Sequence, residues 1–96
     1  MVEKLDRQSV DANLQSLHGW SLDHGKLRRD FQFPDFVEAF GFMTRAAIEA
    51  EKMDHHPEWC NVYGKVTVHL TTHEAGGITE RDFALAKRLN ELATNG

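Results

Sequence analysis

The sequence has few of the residues that mark secreted or membrane proteins. Cys60 is the only cysteine, so no internal disulfide can form, and the chain fits a reducing compartment. No apolar run approaches the length of a membrane span, and the N-terminus has no apolar segment of signal-peptide length. We therefore expect a cytoplasmic protein that makes no membrane contact.

Positive charge is also scarce. The chain has 11 lysines and arginines against 15 aspartates and glutamates, which gives a formal net charge of −4. Lys26, Arg28 and Arg29 form the only small basic cluster, so direct binding to nucleic acid is not expected. The length predicts a single domain over residues 1–96, of a size that often gains further burial by oligomerising.

The order of periodic segments predicts an α+β fold. We expect a four-stranded antiparallel sheet with three helices on one face, in the order α-β-β-α-β-β-α. Ser9 is the expected N-cap of the first helix, and Gly19 follows its end. A hairpin turn is expected over residues 23–26, which makes His24 a turn residue.

The second half of the chain carries three further signals. Two strands are expected near residues 59–63 and 66–72, with His69 as a packed or hydrogen-bonded sheet residue. Residues 74–78 are expected to form a flexible link. Thr79-Glu80-Arg81-Asp82 resembles a capping box that starts the last helix.

The longest helix is predicted to open at Pro34-Asp35 and to end before Pro57. We expect its core stripe to be Phe36, Phe40, Met43, Ala47 and Ala50. Phe42 and Ile48 lie off that stripe and widen the apolar arc. The helix is therefore expected to be covered on two sides, by the sheet and by another subunit.

Histidines and acidic residues are concentrated around Pro57. The stretch Glu51–Trp59 contains three acidic residues and the adjacent pair His55 and His56. Imidazole titrates near neutral pH, and a carboxylate beside it can fix its tautomer and raise its pKa. Because Pro57 should end the helix, the pair is expected at a helix end, with His73 folding back toward it.

Several chemistries remain open for these histidines. A zinc site is disfavoured because adjacent side chains diverge and no cysteine lies at ligand spacing. A nucleophilic hydrolase is disfavoured because no nucleophile-elbow motif is present, and Cys60 is expected to be a small buried residue. General acid–base catalysis fits best, since it needs a donor and an acceptor that titrate near neutrality. The simplest alternative is that these are ordinary loop histidines.

Nearly the whole chain, from about residue 10 to 93, resembles pterin-4a-carbinolamine dehydratase. The segments that carry the resemblance are Gly19-Trp20, residues 39–45, Glu51–Trp59, Asn61-Val62-Tyr63, Val66, Thr71-Thr72-His73-Glu74 and Thr79-Glu80-Arg81-Asp82. The resemblance implies removal of water from 4a-hydroxytetrahydrobiopterin to give quinonoid dihydropterin, without a metal or organic cofactor.

The resemblance also implies a set of site residues. His55 and His73 are expected to carry the proton transfers, with either one as the acid, and His56 to hold and polarise the pterin. The implied substrate-binding residues are Glu51, Asp54, His55, His56, Pro57, Trp59, Thr72, His73, Glu74 and Ala75, with Trp20 and Asp82 in support. Asp82 has an equally good explanation as a helix-capping residue.

The resemblance finally implies partners. The family forms homotetramers in which sheets pair into dimers and long helices pack dimer on dimer. Animal members also act as dimerisation cofactors for a homeodomain transcription factor. The alternative function is therefore a protein-binding module that acts through its helical face.

Overall fold

The computed structural model describes residues 2–95 of the chain, and the predicted order of elements is confirmed. The elements are α1 Arg7–Gln15, β1 Ser21–Asp23, β2 Lys26–Gln32, α2 Phe36–Met53, β3 Glu58–Val62, β4 Lys65–Leu70, a 3-10 turn His73–Ala75 and α3 Glu80–Asn95. The four strands form one antiparallel sheet in the order β1-β2-β4-β3. None of the helices in residues 2–95 is long and apolar enough to cross a membrane.

Strict alternation along the strands separates the two faces of the sheet. Leu27 pairs with Leu70 and Phe31 with Val66, and all four side chains are buried. Arg28, Asp30, Thr67 and His69 alternate with these residues and point to the other face, which is polar. The core therefore lies on one side of the sheet, where the helices cover it.

The first helix starts earlier than expected, and Ser9 is not its N-cap. Asp6 is the cap, and its carboxylate accepts a hydrogen bond from the Ser9 amide at 2.8 Å. That backbone bond holds the pKa of Asp6 below its usual value. Both residue types are good caps, and the upstream one prevails because the Leu5 amide donates to the Ile78 carbonyl and positions the segment before it.

The predicted core stripe of α2 is partly wrong. Phe36 and Phe40 are about half exposed, whereas the buried residues are Ala39, Phe42, Ala46 and Ala50. Phe42 packs between Phe31 and Phe33, with ring centroids 4.7 and 5.0 Å away. The helix turns its small residues and this one ring to the sheet, and an apolar row is left on the outside.

Two smaller expectations are also corrected, and one is confirmed. Cys60 lies on an exposed position of β3 and is not a buried core residue. The link after β4 contains the 3-10 turn, which a bridge between Thr72 and Gly77 closes. The hairpin at residues 23–26 forms as predicted, with φ angles of 51° at His24 and 77° at Gly25.

Candidate active site

The C-terminus of α2 determines where the two adjacent histidines point. Asp54 takes the left-handed conformation, with φ 52° and ψ 42°. The His55 amide donates to the Ala50 carbonyl, and the Asp54 amide donates to the Glu51 carbonyl, which is the pattern of a Schellman motif. Asp54 therefore acts through its backbone: among residues 2–95, its carboxylate makes no hydrogen bond to an imidazole.

His55 points inward and meets Asp82. Its side chain is only 8% exposed, and its Nε2 lies 2.6 Å from Oδ1 of Asp82, whose side chain is fully buried. The aspartate comes from the first turn of α3, so this bond joins the ends of two helices. A buried carboxylate of this kind is costly unless its oxygens are well paired.

Other partners complete the hydrogen bonding of Asp82. Its Oδ2 accepts bonds from the Thr72 hydroxyl and from the Thr79 amide, each at 2.9 Å. Thr79 Oγ1 in turn accepts from the Arg81 amide at 3.2 Å and lies 2.7 Å from Thr72 Oγ1. This is the predicted capping box at the start of α3, with aspartate in place of the usual glutamate at helix position N3. Asp82 is thus both a helix cap and the partner of a histidine.

The other two histidines have carboxylate partners of their own. His56 Nε2 lies 2.8 Å from Glu51 Oε1, and this pair is exposed. His73 Nε2 lies 2.9 Å from Glu58 Oε2, with its side chain 79% exposed. The other oxygen of Glu58 accepts a bond from Lys26 Nζ at 2.6 Å. The hydrogen bonds from Lys26 first and His73 second hold the pKa of Glu58 below its usual value.

The pairing fixes the tautomer of all three rings in the same way. An ionised carboxylate can only accept hydrogen bonds, so each Nε2 must carry the proton. Each Nδ1 is then the nitrogen that can take or give a proton, and it has no hydrogen-bond partner within residues 2–95. Among residues 2–95, every histidine nitrogen that is enclosed by protein has a hydrogen-bond partner. Since Nδ1 of His55 has no partner, this atom must be in contact with solvent.

All three histidines border one cleft of about 310 Å³. Its lining residues are His55, His56, Thr71, Thr72, His73 and Glu74. Arg81 holds the Glu74 carboxylate at 3.2 Å. The 3-10 turn carries His73 to the cleft from the end of β4, and the α2 terminus brings the adjacent pair. Imidazoles from two separate segments therefore meet at one site.

None of the other expected site residues lies on the wall of this cleft. Glu51 is the hydrogen-bond partner of His56, and Asp82 is that of His55. Trp59 is half-buried against the core, and Pro57 and Ala75 do not border the cleft. Trp20 lies further away in the core, where its Nε1 donates to Asn90 in the second half of α3.

Sequence reasoning missed three residues of the site. Glu58 lies within the histidine-rich stretch, but its pairing with His73 joins residues 15 positions apart. Lys26 belongs to the first hairpin and reaches Glu58 across the sheet. Thr71 follows β4 on its polar side and lines the cleft. Of these three residues, only Thr71 could have been identified from a local pattern, namely the alternation of polar and apolar side chains along β4. Across residues 2–95, no group of three or more acidic, histidine or cysteine side chains is arranged to hold a metal ion.

Comparison with known proteins identifies the family of the chain. The family described as Pterin 4 alpha carbinolamine dehydratase matches residues 3–92. Proteins named "Putative pterin-4-alpha-carbinolamine dehydratase" include one from Rhizobium johnstonii, 53% identical over 99% of this chain and 96% of its own length. Another, from Chelativorans sp., is 56% identical over 95% of both chains.

A solved structure gives the same result. The crystal structure of a transcriptional coactivator/pterin dehydratase from Brucella melitensis has a TM-score of 0.91 and 44% identity, covering 95% of this chain and 99% of that one. A pterin dehydratase-like protein described as a RuBisCO assembly factor in the alpha-carboxysome shares the fold, with a TM-score of 0.67 and 24% identity over 79% and 90% of the two chains. The fold is thus that of a pterin dehydratase. The chain belongs to the pterin-4-alpha-carbinolamine dehydratase family.

Proposed function

We propose that this protein removes water from 4a-hydroxytetrahydrobiopterin to give quinonoid dihydropterin, in the recycling of tetrahydrobiopterin. One observation carries the proposal: three imidazoles, each paired through Nε2 with its own carboxylate, border a single cleft. Family membership supplies the substrate class. We further propose that residues 1–96 act as one domain, in the reducing environment of the cytoplasm, without direct binding to nucleic acid or membranes.

The reaction needs two proton transfers. The bond between C4a and its hydroxyl oxygen breaks, and the oxygen takes a proton from an imidazolium and leaves as water. N5 of the pterin gives its proton to a neutral imidazole, and the electron pair left on N5 forms the N5=C4a double bond. One group must donate and another accept, both near neutral pH, which suits imidazoles.

His55 and His73 are the proposed proton carriers. A neutral ring whose Nε2–H is bound to a carboxylate presents Nδ1 as a base, and the same ring when protonated presents Nδ1–H as an acid. Asp82 and Glu58 stabilise the charged form that each ring must pass through. His56 is proposed to hold and polarise the pterin. Thr72 and Glu74, which line the same cleft, are proposed to position it.

A stopped-flow assay with freshly made 4a-hydroxytetrahydropterin tests the proposal. We expect His55→Gln and His73→Gln each to lower the dehydration rate at least about 100-fold, the lower range for positioned acid–base groups. His18→Gln is the matched control, because His18 is exposed and does not border the cleft. Circular dichroism establishes that each variant is folded. A native rate no faster than buffer refutes the enzymatic function.

We also propose that the protein assembles as a homotetramer. Phe36, Val37, Phe40 and Ile48 leave an exposed apolar row on the outside of α2, and a row of this kind is typical of an interface between subunits. We expect Phe40→Glu to dissociate the assembly into smaller species in sedimentation velocity, with Glu38→Gln as the control on the same helix. An unchanged sedimentation coefficient contradicts this arrangement.

The same row supports the second candidate function, a protein-binding module. The Brucella melitensis protein is described both as a transcriptional coactivator and as a pterin dehydratase. If binding is the main role, substitutions at Phe40 remove the biological effect while His55→Gln and His73→Gln leave it intact. The enzymatic function predicts the reverse for the histidines, and the three paired imidazoles favour it.

A further inference from the structure

A second and larger cavity also borders His73. Its volume is about 870 Å³, against about 310 Å³ for the histidine cleft. The segment before α1, the β1–β2 hairpin and the loop at residues 76–78 form its walls. Thr71 and His73 belong to the borders of both cavities, so the two spaces meet at these side chains.

Positive charge predominates on the walls of this larger cavity. Lys4, Arg7 and Lys26 line it with one carboxylate, Asp6, so its ionised side chains sum to 3 − 1 = +2, with His24 and His73 neutral. The whole chain has a formal charge of −4. The Asp6 carboxylate is already bound to the Ser9 amide. An anion is therefore the ligand that this cavity favours.

The cations keep hydrogen-bond donors for such a ligand. Arg7 gives Nε to Asp11 at 2.9 Å, and Lys26 gives one proton of Nζ to Glu58. A guanidinium has five N–H donors and an ammonium three, so each retains others. For Lys4, no ion pair occurs within residues 2–95.

The position of Lys4 is held by its neighbours. A Cβ at Gly77 would lie 2.8 Å from Lys4 Cε, so the lysine stem runs directly against this glycine. The next residue, Leu5, donates its amide to the Ile78 carbonyl at 2.9 Å. These contacts hold the lysine at the cavity wall, close to the loop that carries His73.

The chemistry of the pterin connects the two cavities, and this step rests on the proposed function. C6 is bonded directly to N5, so the substituent on C6 lies beside whichever group takes the N5 proton. If His73 acts at N5, that substituent leaves the histidine cleft at His73 and enters the larger cavity. A short neutral chain would leave most of the larger cavity and its cations unused.

We propose that the protein also dehydrates, and prefers to the biopterin compound, a 4a-hydroxytetrahydropterin whose C6 substituent is extended and ends in an anionic group, bound by Lys4 and Arg7. Phosphate and carboxylate groups both fit this description, and both accept charge-assisted hydrogen bonds from guanidinium and ammonium groups. The larger cavity then sets substrate preference, while the histidine cleft performs the dehydration.

Three 4a-hydroxytetrahydropterins test this proposal in the stopped-flow assay. One carries a C6 methyl group, the second a C6 chain ending in a phosphate ester, and the third an aminobenzoyl-glutamate chain. We expect kcat/KM to be at least about tenfold higher for one anionic substrate than for the methyl compound, which equals about 1.4 kcal/mol. The preferred substrate identifies the phosphate or the carboxylate as the anion.

The variant Lys4→Gln/Arg7→Gln should lower this ratio of kcat/KM values about tenfold. Lys87→Gln, on an exposed position of α3, is the control and should keep the ratio. Equal kcat/KM for all three compounds overturns the inference and leaves the proposed function standing. If none is dehydrated, the proposed function fails, and fluorescence titration with the corresponding stable oxidised pterins decides the inference: equal binding of neutral and anionic pterins overturns it.

Discussion

The two sides of the histidine cleft are built in contrasting ways. On one side, the His55–Asp82 pair lies in the core, and the Thr72 hydroxyl and the Thr79 amide fix its aspartate. On the other, the His73–Glu58 pair is exposed, and a lysine from the neighbouring hairpin holds its glutamate. A histidine–carboxylate pair is thus held in place by burial on one side of the cleft and by a charged neighbour on the other.

The difference predicts a division of labour between stability and catalysis. A buried, fully bonded carboxylate cannot be changed without leaving donors unpaired, so the His55 side should be rigid and essential to the fold. An exposed pair contributes little to stability, because water screens it. The His73 side can therefore adapt to a bound ligand at small cost to the fold. Substitutions on each side test this contrast.

The largest effect is expected from Asp82→Asn. The amide nitrogen would face the Nε2–H of His55, so the ring must adopt the opposite tautomer and place its proton on Nδ1. The base directed to the cleft is then lost, and we expect the dehydration rate to fall more than about 100-fold. Urea unfolding should show a loss of about 1–3 kcal/mol, the usual cost of a mismatched buried polar group.

Asp11→Asn is the control for that substitution, because Asp11 is an exposed aspartate on α1 whose one ion pair among residues 2–95 is with Arg7. Its expected change in stability is below about 0.5 kcal/mol. If Asp82→Asn retains both activity and stability, the buried pair has neither of the roles assigned to it.

An intermediate effect is expected from Glu58→Gln. The glutamine oxygen can still accept a bond from His73, but the negative charge that favours the imidazolium is removed. We expect kcat to fall about tenfold, within the range for groups that act through a catalytic side chain. Glu91→Gln, at the exposed end of α3, is the control.

Lys26→Gln provides the opposite test of the same pair. Without the lysine, the full charge of Glu58 still acts on His73, so kcat should fall less than in Glu58→Gln. A smaller loss of kcat in Lys26→Gln than in Glu58→Gln indicates an electrostatic effect. Equal losses would show that both substitutions simply disturb the local fold, and the positioning role of Glu58 would be lost.

The sequence contained most of the information about the fold, because periodicity and turn residues are local signals. The hairpin at Gly25, the capping box at Thr79 and the helix end before Pro57 were all predictable on that ground. The errors arose where two local solutions compete. Asp6 and Ser9 are both good caps, and Phe40 and Phe42 are equally apolar, so only the packing of α2 against Phe31 decides which ring is buried.

The site was predictable only as far as its histidines. The adjacent pair and His73 could be identified from residue chemistry and family resemblance. The partners of these residues come from other parts of the chain: Asp82 is 27 positions from His55, and Lys26 is 32 positions from Glu58. No local pattern in the sequence predicts pairings between residues so far apart along the chain, because these pairings depend on the strand order β1-β2-β4-β3 and on where α3 meets α2. Trp20 is the opposite case. The family resemblance suggested that it supports the site, but its side chain lies in the core and bonds to Asn90.

The smallest expected effect is a change in the free energy of unfolding at acid pH, and it tests the exposed His73–Glu58 side of the cleft. The pKa of Glu58 is lowered from its ordinary value of 4.5 by Lys26 and His73. Its contribution to stability is therefore complete above about pH 4.5 and is lost as the pH falls through the lower pKa of the folded state. Because the side chain is 42% exposed, we expect a contribution below about 1 kcal/mol. Urea unfolding of the native protein and Glu58→Gln should differ by this amount at pH 6, and the difference should shrink as the pH falls below about 4.5, whereas a constant difference would assign the effect to packing.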